Sequence, residues 1–479
     1  MKKGLLIIIL LALGIGVYAF VKYSPTNDER SIEIQADTAV LKLEEDIIEE
    51  KYVHSLEEVD KGNYPQGYFR NPIDGKIYLS GTFAELRSNH FHAGIDIRTG
   101  GVEGKKVYAT ADGYIARVNV STYGYGRAIY IRHPNGYTTV YGHLQQFKGE
   151  LANYIEKAQY KNKRFTVQKF PGKDLLKVKK GDVIALSGNT GGSGGPHLHF
   201  EIRSTATEAT INPLLFGMDI LDNRTPKINE IYIHEVDENY KKVMGHYPFK
   251  TFEKNEELEG KTVFLEAGSY GIAAVLRDQF LNPTEKLGLN YMKLLVNDVE
   301  VYNTEIEKFY FHETRYMNCH MDFSTHKNQN KKATKFWKDA GNKLPFYKAV
   351  NKGLVKVEEG VSTKVKIEIK DLSGKSDEIE FYLKGVAGLG HLSSNSVITN
   401  SDGGILCTPG KGGTIIEDNY TCFIPSGSLY SPYLFVGKSE ELRTYSNEVT
   451  FGSFAVPMHK KMTCKIKTKN LPSGKDIYN

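Results

Sequence analysis

Residues 127–144 read RAIYIRHPNGYTTVYGHL, two β-branched and aromatic runs on either side of Asn135-Gly136. Both residues of that pair tolerate positive φ, so the stretch predicts a β-hairpin. Working outward, KVYATADGYIARVNV (106–120), GDVIALSG (181–188) and PHLHFEIR (196–203) are further short β-branched runs separated by glycine turns. Strands at this spacing predict an antiparallel, mostly β domain with a site at one edge of its sheet. Next to last in the stretch 127–144 stands His143.

His92 and Asp96 lie in HFHAGID (90–96), and His197 and His199 in GGPHLHFE (194–201). Alternate residues of a strand share a face, so His197 and His199 point into one site if HLHF is extended. Gly94, Ile95 and Ile97 argue for a strand or turn, not a helix, around His92 and Asp96. GNTGGSGG (188–195) is a loop led by its backbone, with few side chains to obstruct a cleft. Imidazoles and one carboxylate at these spacings suit zinc, and three protein ligands leave one position for water, as in a catalytic site. In a chain with 14 histidines an isolated HxH is more often a surface or core pair. The signal here is the joint occurrence of the strings in a β context.

Taken in order, FHAGIDI, VYATADGYI, GYGRAIYIRHPNGYTTVYGHL, VKKGDVIALSGNTGGSGGPHLHFE and INP resemble the lysostaphin-like, LytM-type zinc metallopeptidases that cleave peptide bridges in bacterial peptidoglycan. The resemblance runs from about Tyr68 to Phe216, about a third of the chain. It implies an antiparallel-sheet peptidase domain; the alternation of the later strands implies that β-sandwich, immunoglobulin-like modules follow it. The resemblance implies one zinc ion, Zn(2+), per chain, with His92, Asp96 and His199 as metal ligands and His143 and His197 as the two non-ligand catalytic histidines. The implied activity is a zinc metalloendopeptidase hydrolysing peptide cross-links or stem peptides of peptidoglycan. Relatives that have lost ligands serve as activators or scaffolds; here all five positions are filled. A non-catalytic activator of other wall hydrolases and an envelope peptidase acting on a protein substrate are the alternatives.

Zinc-bound water has a pKa near ~7, and the metal polarises the scissile carbonyl. An imidazole with a pKa near ~6.5 suits taking the water's proton or steadying the oxyanion. Which of His143 and His197 is the base stays open. The glycine-rich loop and the Tyr123–Gly126 turn are expected to form low walls of a groove.

The chain departs from short family members by an insertion at about 145–177. ELANYIEKAQYKNK (150–163) predicts a short helix, with Leu151, Tyr154, Ile155 and Ala158 at helical spacing. From Lys157 to Lys180 nine basic residues face one acid, Asp174. Such a run is a solvated face or a cleft wall that attracts an acidic polymer.

At 479 residues the chain exceeds one ordinary core. A net charge of +5 is too mild to argue nucleic-acid binding, and no phosphate-loop or dinucleotide fingerprint is present. HEVDE at His234 and HETRY at His312 lack the second histidine of HExxH. Lys2 and Lys3 precede an apolar run from Gly4 to Val21, a signal peptide or N-terminal membrane anchor over 1–23. Either way the remainder is exported to the periplasm or cell envelope, secreted or membrane-anchored. A polar linker (24–60) leads to the peptidase domain (61–222). A β-sandwich-like domain (223–385) follows, with a lysine-rich insertion or long loop at about 309–352. Its clearest signal is KVKIEIKDLSGKSDEIEFYLKG, where Val365, Ile367 and Ile369 alternate opposite Ile379, Phe381 and Leu383. A second β module (386–479) carries GGTIIEDNYTCFIP and SPYLFVG. These modules offer a surface for envelope protein partners and no catalytic constellation. Cys319, Cys407, Cys422 and Cys464 all lie in this half; they permit three connectivities, with Cys407 and Cys422 able to close a small loop.

Overall fold

The hairpin of residues 127–144 lies at the heart of a ten-stranded antiparallel sheet that also takes in the runs at 113–120 and 197–204. The computed structural model describes residues 63–222, 224–236, 249–253, 258–278, 287–389, 404–440 and 448–467, with three short strands at Leu6–Leu10, Val17–Val21 and Ile34–Ala36. Apart from those strands, the expected leader and linker lie outside the described residues. Among the described residues no helix is long and apolar enough to cross a membrane.

The main members of the sheet are β1 (Leu79–Gly81), β2 (Ile95–Arg98), β3 (Gly113–Val120), β4 (Arg127–Arg132), β5 (Tyr137–Gly142), β6 (His197–Ser204) and β7 (Thr210–Ile211). They run in the order β3-β4-β5-β6-β7. β6 pairs with β5 along one edge and with β2, then β7, along the other, and β1 lies outside β2. β4 and β5 form the predicted hairpin, with Arg132 opposite Thr138. Only Gly136 of the Asn-Gly pair takes positive φ, 85°, and the His133 N–H donates to the Tyr137 carbonyl. The turn is therefore wider than the two-residue type.

Strand alternation splits the chemistry between the two faces. Ile95, Ile97, Ile129, Ile131, Tyr141, Leu198, Phe200 and Ile202 enter the core on one face, all fully buried. Burial of each such side chain contributes about 1.5–3 kcal/mol. Their odd-even partners, Asp96, His197, His199, Glu201 and Arg203, occupy the opposite face. A small sheet of Lys106–Tyr108, Gln146–Phe147 and Val183–Leu186 covers the core. The stretch expected as an insertion supplies helix α1 (Gly149–Asn162), which buries Leu151 and Ile155 as the period predicts and ends where Lys163 turns left-handed. Its following strand, Val167–Lys169, pairs with β3.

Beyond residue 226 two sheets face each other around a shared core. One holds Lys227–Glu235, Phe249–Glu253, Gly268–Arg277, Ala333–Lys335 and Val355–Val357; the other is built on Tyr291–Val296, Ser362–Lys370 and Ser376–Gly385. The hairpin predicted within residues 364–385 is present as Ser362–Lys370 paired with Ser376–Gly385, with its six alternating apolar residues fully buried in that core. The stretch expected as an insertion at 309–352 carries helices Met317–His320 and Phe323–Gln329 and a strand of the first sheet, Ala333–Lys335. A third core gathers Cys407, Cys422, Tyr433 and Phe435.

Candidate metal centre

The register of β6 builds the site. Asp96 of β2 stands directly opposite His199, and Gly142 of β5 stands opposite it on the other edge. His143 follows at the end of β5 with φ 58°, a left-handed conformation that non-glycine residues rarely adopt. It is held there by its N–H donating to the Tyr125 carbonyl, 2.8 Å. His92 precedes β2 on a loop whose backbone bonds Ala84 to His92 and His92 to Glu85.

All five expected residues meet. His92 Nε2, His199 Nδ1 and Asp96 Oδ1 form a triangle with 3.0 Å between each pair. Donors around a tetrahedral zinc with bonds of about 2.0–2.1 Å lie roughly 3.3 Å apart, so the triangle fits such an ion. All three residues are buried. Each outward-facing atom already has a partner. His92 Nδ1–H donates to the Thr82 carbonyl, 2.8 Å, and His199 Nε2–H to Glu201 Oε1, 2.8 Å. These partners leave Nε2 of His92 and Nδ1 of His199 as lone-pair donors. Asp96 Oδ2 accepts from Arg87 Nη2, 2.8 Å. Gly81 makes room for that pair, because a Cβ there would lie 2.5 Å from both Arg87 Nη2 and Asp96 Oδ2.

The electrostatics favour a positive charge inside the triangle. Burial alone would raise the Asp96 carboxyl, but His92, His197 and His199 hold it well below the usual carboxylate range. Burial would lower the His199 imidazole, yet the carboxylates of Asp96 and Glu201 push it up to about 9. Glu201 is fully buried; against that burial, Arg203 and His199 hold its carboxyl down to about 2. A proton on His199 and a metal ion therefore compete for the same Nδ1 lone pair, so metal binding at this triangle releases a proton.

His143 and His197 stand beside the triangle with rings 4.7 Å apart. His143 Nδ1–H donates to the Thr190 carbonyl, 2.7 Å, and His197 Nδ1–H to that of Gly195, 2.8 Å. Both rings therefore keep Nε2 unprotonated when neutral, and that of His197 lies 3.4 Å from Asp96 Oδ1. Burial, aided by the charge of His199, pushes His143 down to about 4. The expected groove walls differ in one respect. The Gly192 N–H donates to the Gly124 carbonyl, 2.8 Å, so the glycine-rich loop and the Tyr123–Gly126 turn pack into one wall beside His143.

Sequence reasoning passed over Glu201, Arg87, Tyr125 and Thr82. Glu201 was within reach, since alternation puts it on the face of His197 and His199. It accepts from His199, from Tyr125 Oη at 2.5 Å and from Arg203 Nε at 2.6 Å. Tyr125 also stacks on His199, ring centroids 5.0 Å apart. Arg87 and Thr82 carry no local signal; they join the site through loop geometry.

Two overlapping segments, residues 90–163 and 156–213, match peptidase family M23, and together they contain all five residues. The chain is 34% identical over 139 residues to the DD-carboxypeptidase/endopeptidase Mpg of Neisseria meningitidis serogroup B, covering 29% of this chain and 23% of that protein. It is 31% identical over 152 residues to the murein hydrolase activator NlpD of Salmonella dublin, covering 32% of each. The chain spans about a quarter of the length of the first curated relatives it matches. Among solved structures, the catalytic domain of lysostaphin from Staphylococcus simulans aligns with 25% identity and a TM-score of 0.21, over 29% of this chain and 88% of that one. The two matches overlap at 156–163, within the stretch expected as an insertion. The part of the chain that carries the five residues, 90–213, is the part that matches peptidase family M23.

Proposed function

We propose that this protein is a zinc-dependent endopeptidase that hydrolyses peptide cross-links or stem peptides of peptidoglycan in the cell envelope. One zinc per chain is held by His92 Nε2, Asp96 Oδ1 and His199 Nδ1. The observation that carries the reading is the 3.0 Å donor triangle whose outward atoms are all hydrogen-bonded. When bound, the metal supplies a water that ionises near pH ~7 and polarises a peptide carbonyl. The protein's own groups do the rest. His143 and His197, each fixed through Nδ1 by a backbone carbonyl, present Nε2 for taking a proton and passing it to the leaving amine. Arg87 and Glu201 keep the ligand side chains from turning.

A specific observation favours a second reading, an activator of other wall hydrolases: one relative is itself named an activator. Digestion of purified sacculi followed by mass spectrometry separates the two. Release of new muropeptides by the zinc-loaded protein, and none by His199→Ala, supports hydrolysis. An inactive protein that stimulates an added amidase supports activation, and cleavage of envelope proteins alone replaces the wall as substrate.

A further inference from the structure

The loop that presents His92 is held from both sides. On one side stands the peptidase sheet. On the other stands the β-sandwich, whose residues lie two hundred positions further along the chain. Thr82 is the joint between them. Its carbonyl accepts the Nδ1–H of His92 at 2.8 Å. Its hydroxyl donates to the Gly288 carbonyl at 3.1 Å and accepts the Gly288 N–H at 2.9 Å. Thr82 is 4% exposed, so no solvent stands in for these bonds. The residue immediately before His92 is gripped as well, since the Phe91 N–H donates to Thr314 Oγ1 at 2.7 Å. At the tip of the loop Asn318 Nδ2 donates to Asn89 Oδ1 at 3.0 Å.

Apolar packing makes these links stiff. Phe83, Ala84, Phe91 and Ala93 share a buried core with Ile306, Phe309, Met317, Met321 and Leu344. The Phe309 ring lies 5.1 Å from Phe83 and 5.4 Å from Phe91. The strand Lys308–Phe309 pairs with β7, so the peptidase sheet itself runs on into the later segment. The acceptor that orients the His92 ring and the backbone that places it are therefore both set from outside the M23 segment.

We propose that the β-sandwich is a positioning element of the metal centre, with Thr82 and Thr314 as its positioning residues. This rests on the metal reading of His92, Asp96 and His199. The polar partners that orient a metal-bound histidine typically change metal affinity 10–100-fold when removed. Thr82→Val deletes the hydroxyl while keeping the branched shape and the carbonyl, and frees the loop from Gly288. Thr314→Val frees the Phe91 N–H.

The test measures zinc affinity of the folded full chain by competition with a chelating dye, well below the melting temperature. It also records the visible spectrum of the cobalt-substituted protein. We expect Thr82→Val and Thr314→Val each to weaken zinc by about 10-fold or more and to shift the cobalt bands, with Thr82→Ser restoring wild-type values. Packing alone would lower the melting temperature of the metal-free protein and leave affinity and spectrum untouched; that outcome overturns the proposal while the metal reading stands. A wild-type protein that takes up no metal overturns both. Should Thr82→Val fail to fold, Thr314→Val decides by the same two readings.

Discussion

At the scale of single residues, the two pairs of histidines differ in what they would cost to lose. Replacing His92, Asp96 or His199 by Ala leaves two donors of the triangle, and metal analysis should find the zinc gone. Replacing His143 or His197 by Ala should leave the zinc in place and reduce turnover by ~10²-fold or more, read from sacculus hydrolysis. An empty site in His197→Ala would mean that the division of roles within His-Leu-His is reversed. Glu201 makes a sharper case. Three donors converge on its two oxygens, from His199, Tyr125 and Arg203. Glu201→Gln removes the charge beside the buried Arg203 and turns an amide N–H toward one of those donors. Loss of one partner of a buried pair costs roughly 3–5 kcal/mol. Both thermal stability and zinc affinity should fall, checked by melting with and without metal. The five principal residues were legible because each sits in a short string whose neighbours fix its conformation. Glu201 needed only the alternation of its own strand. Arg87 and Thr82 reach the site through a loop fold that no local pattern encodes.

At the scale of elements, the helical period of the insertion read correctly and its surface did not fully disclose itself. Leu151 and Ile155 are buried as expected, but Phe165 and Phe170 remain largely exposed after the helix. They stand over the guanidinium groups of Arg127 and Arg117, at 5.6 and 5.9 Å. Arg127 also donates its backbone N–H to Thr190 Oγ1, and the Thr190 carbonyl holds His143. The basic insertion thus adjoins the wall of the site. Exposed charges act mainly by steering, which is screened over ~8–10 Å at ordinary salt. Neutralising Lys157, Lys161, Lys163 and Lys169 together should raise KM on sacculi several-fold and leave kcat on a short neutral peptide unchanged. Rates measured against salt concentration check this: the wild type should lose activity more steeply than the variant, and equal slopes would make the segment a solvated loop. The cysteine pairing, which spacing left open, is given a geometric preference by strand register, because Cys422 lies directly opposite Cys464.

At the scale of the whole molecule, the stretch at 309–352 shows where sequence patterning stops informing. Its lysines suggest a solvated loop, yet Met317, Cys319, Met321, Phe336, Trp337 and Leu344 are buried at irregular intervals. Irregular spacing carries neither period 2 nor period 3.6, so only tertiary contacts reveal it as structural. One of those contacts pairs a carboxylate with an imidazole. Asp322, at the start of helix Phe323–Gln329, lies 3.0 Å from His234 of the first sandwich sheet, both buried. Burial would raise the Asp322 carboxyl, but His234 holds it down to about 2. A carboxyl depressed on folding stabilises the protein above its unfolded value, near ~3.9, and ceases to do so as pH falls through the folded one. The shift corresponds to about 2 kcal/mol. Denaturant unfolding of the metal-free protein should show wild type more stable than Asp322→Asn at pH 6, with the gap closing between about pH 4 and pH 2.

The continuation of the peptidase sheet into the sandwich also orders events in time. A chain grows from its N-terminus, so His199 is made well before Gly288 and Thr314. At about 5–20 residues per second the interval is roughly ten seconds. Through that interval the five site residues exist without the clasp that sets His92, and a protein broken off before Gly288 never acquires it. On the function proposed above, the metal site is completed only once about two thirds of the chain has been made, at Thr314 of 479 residues, so shorter translation products should bind metal more weakly than the full chain.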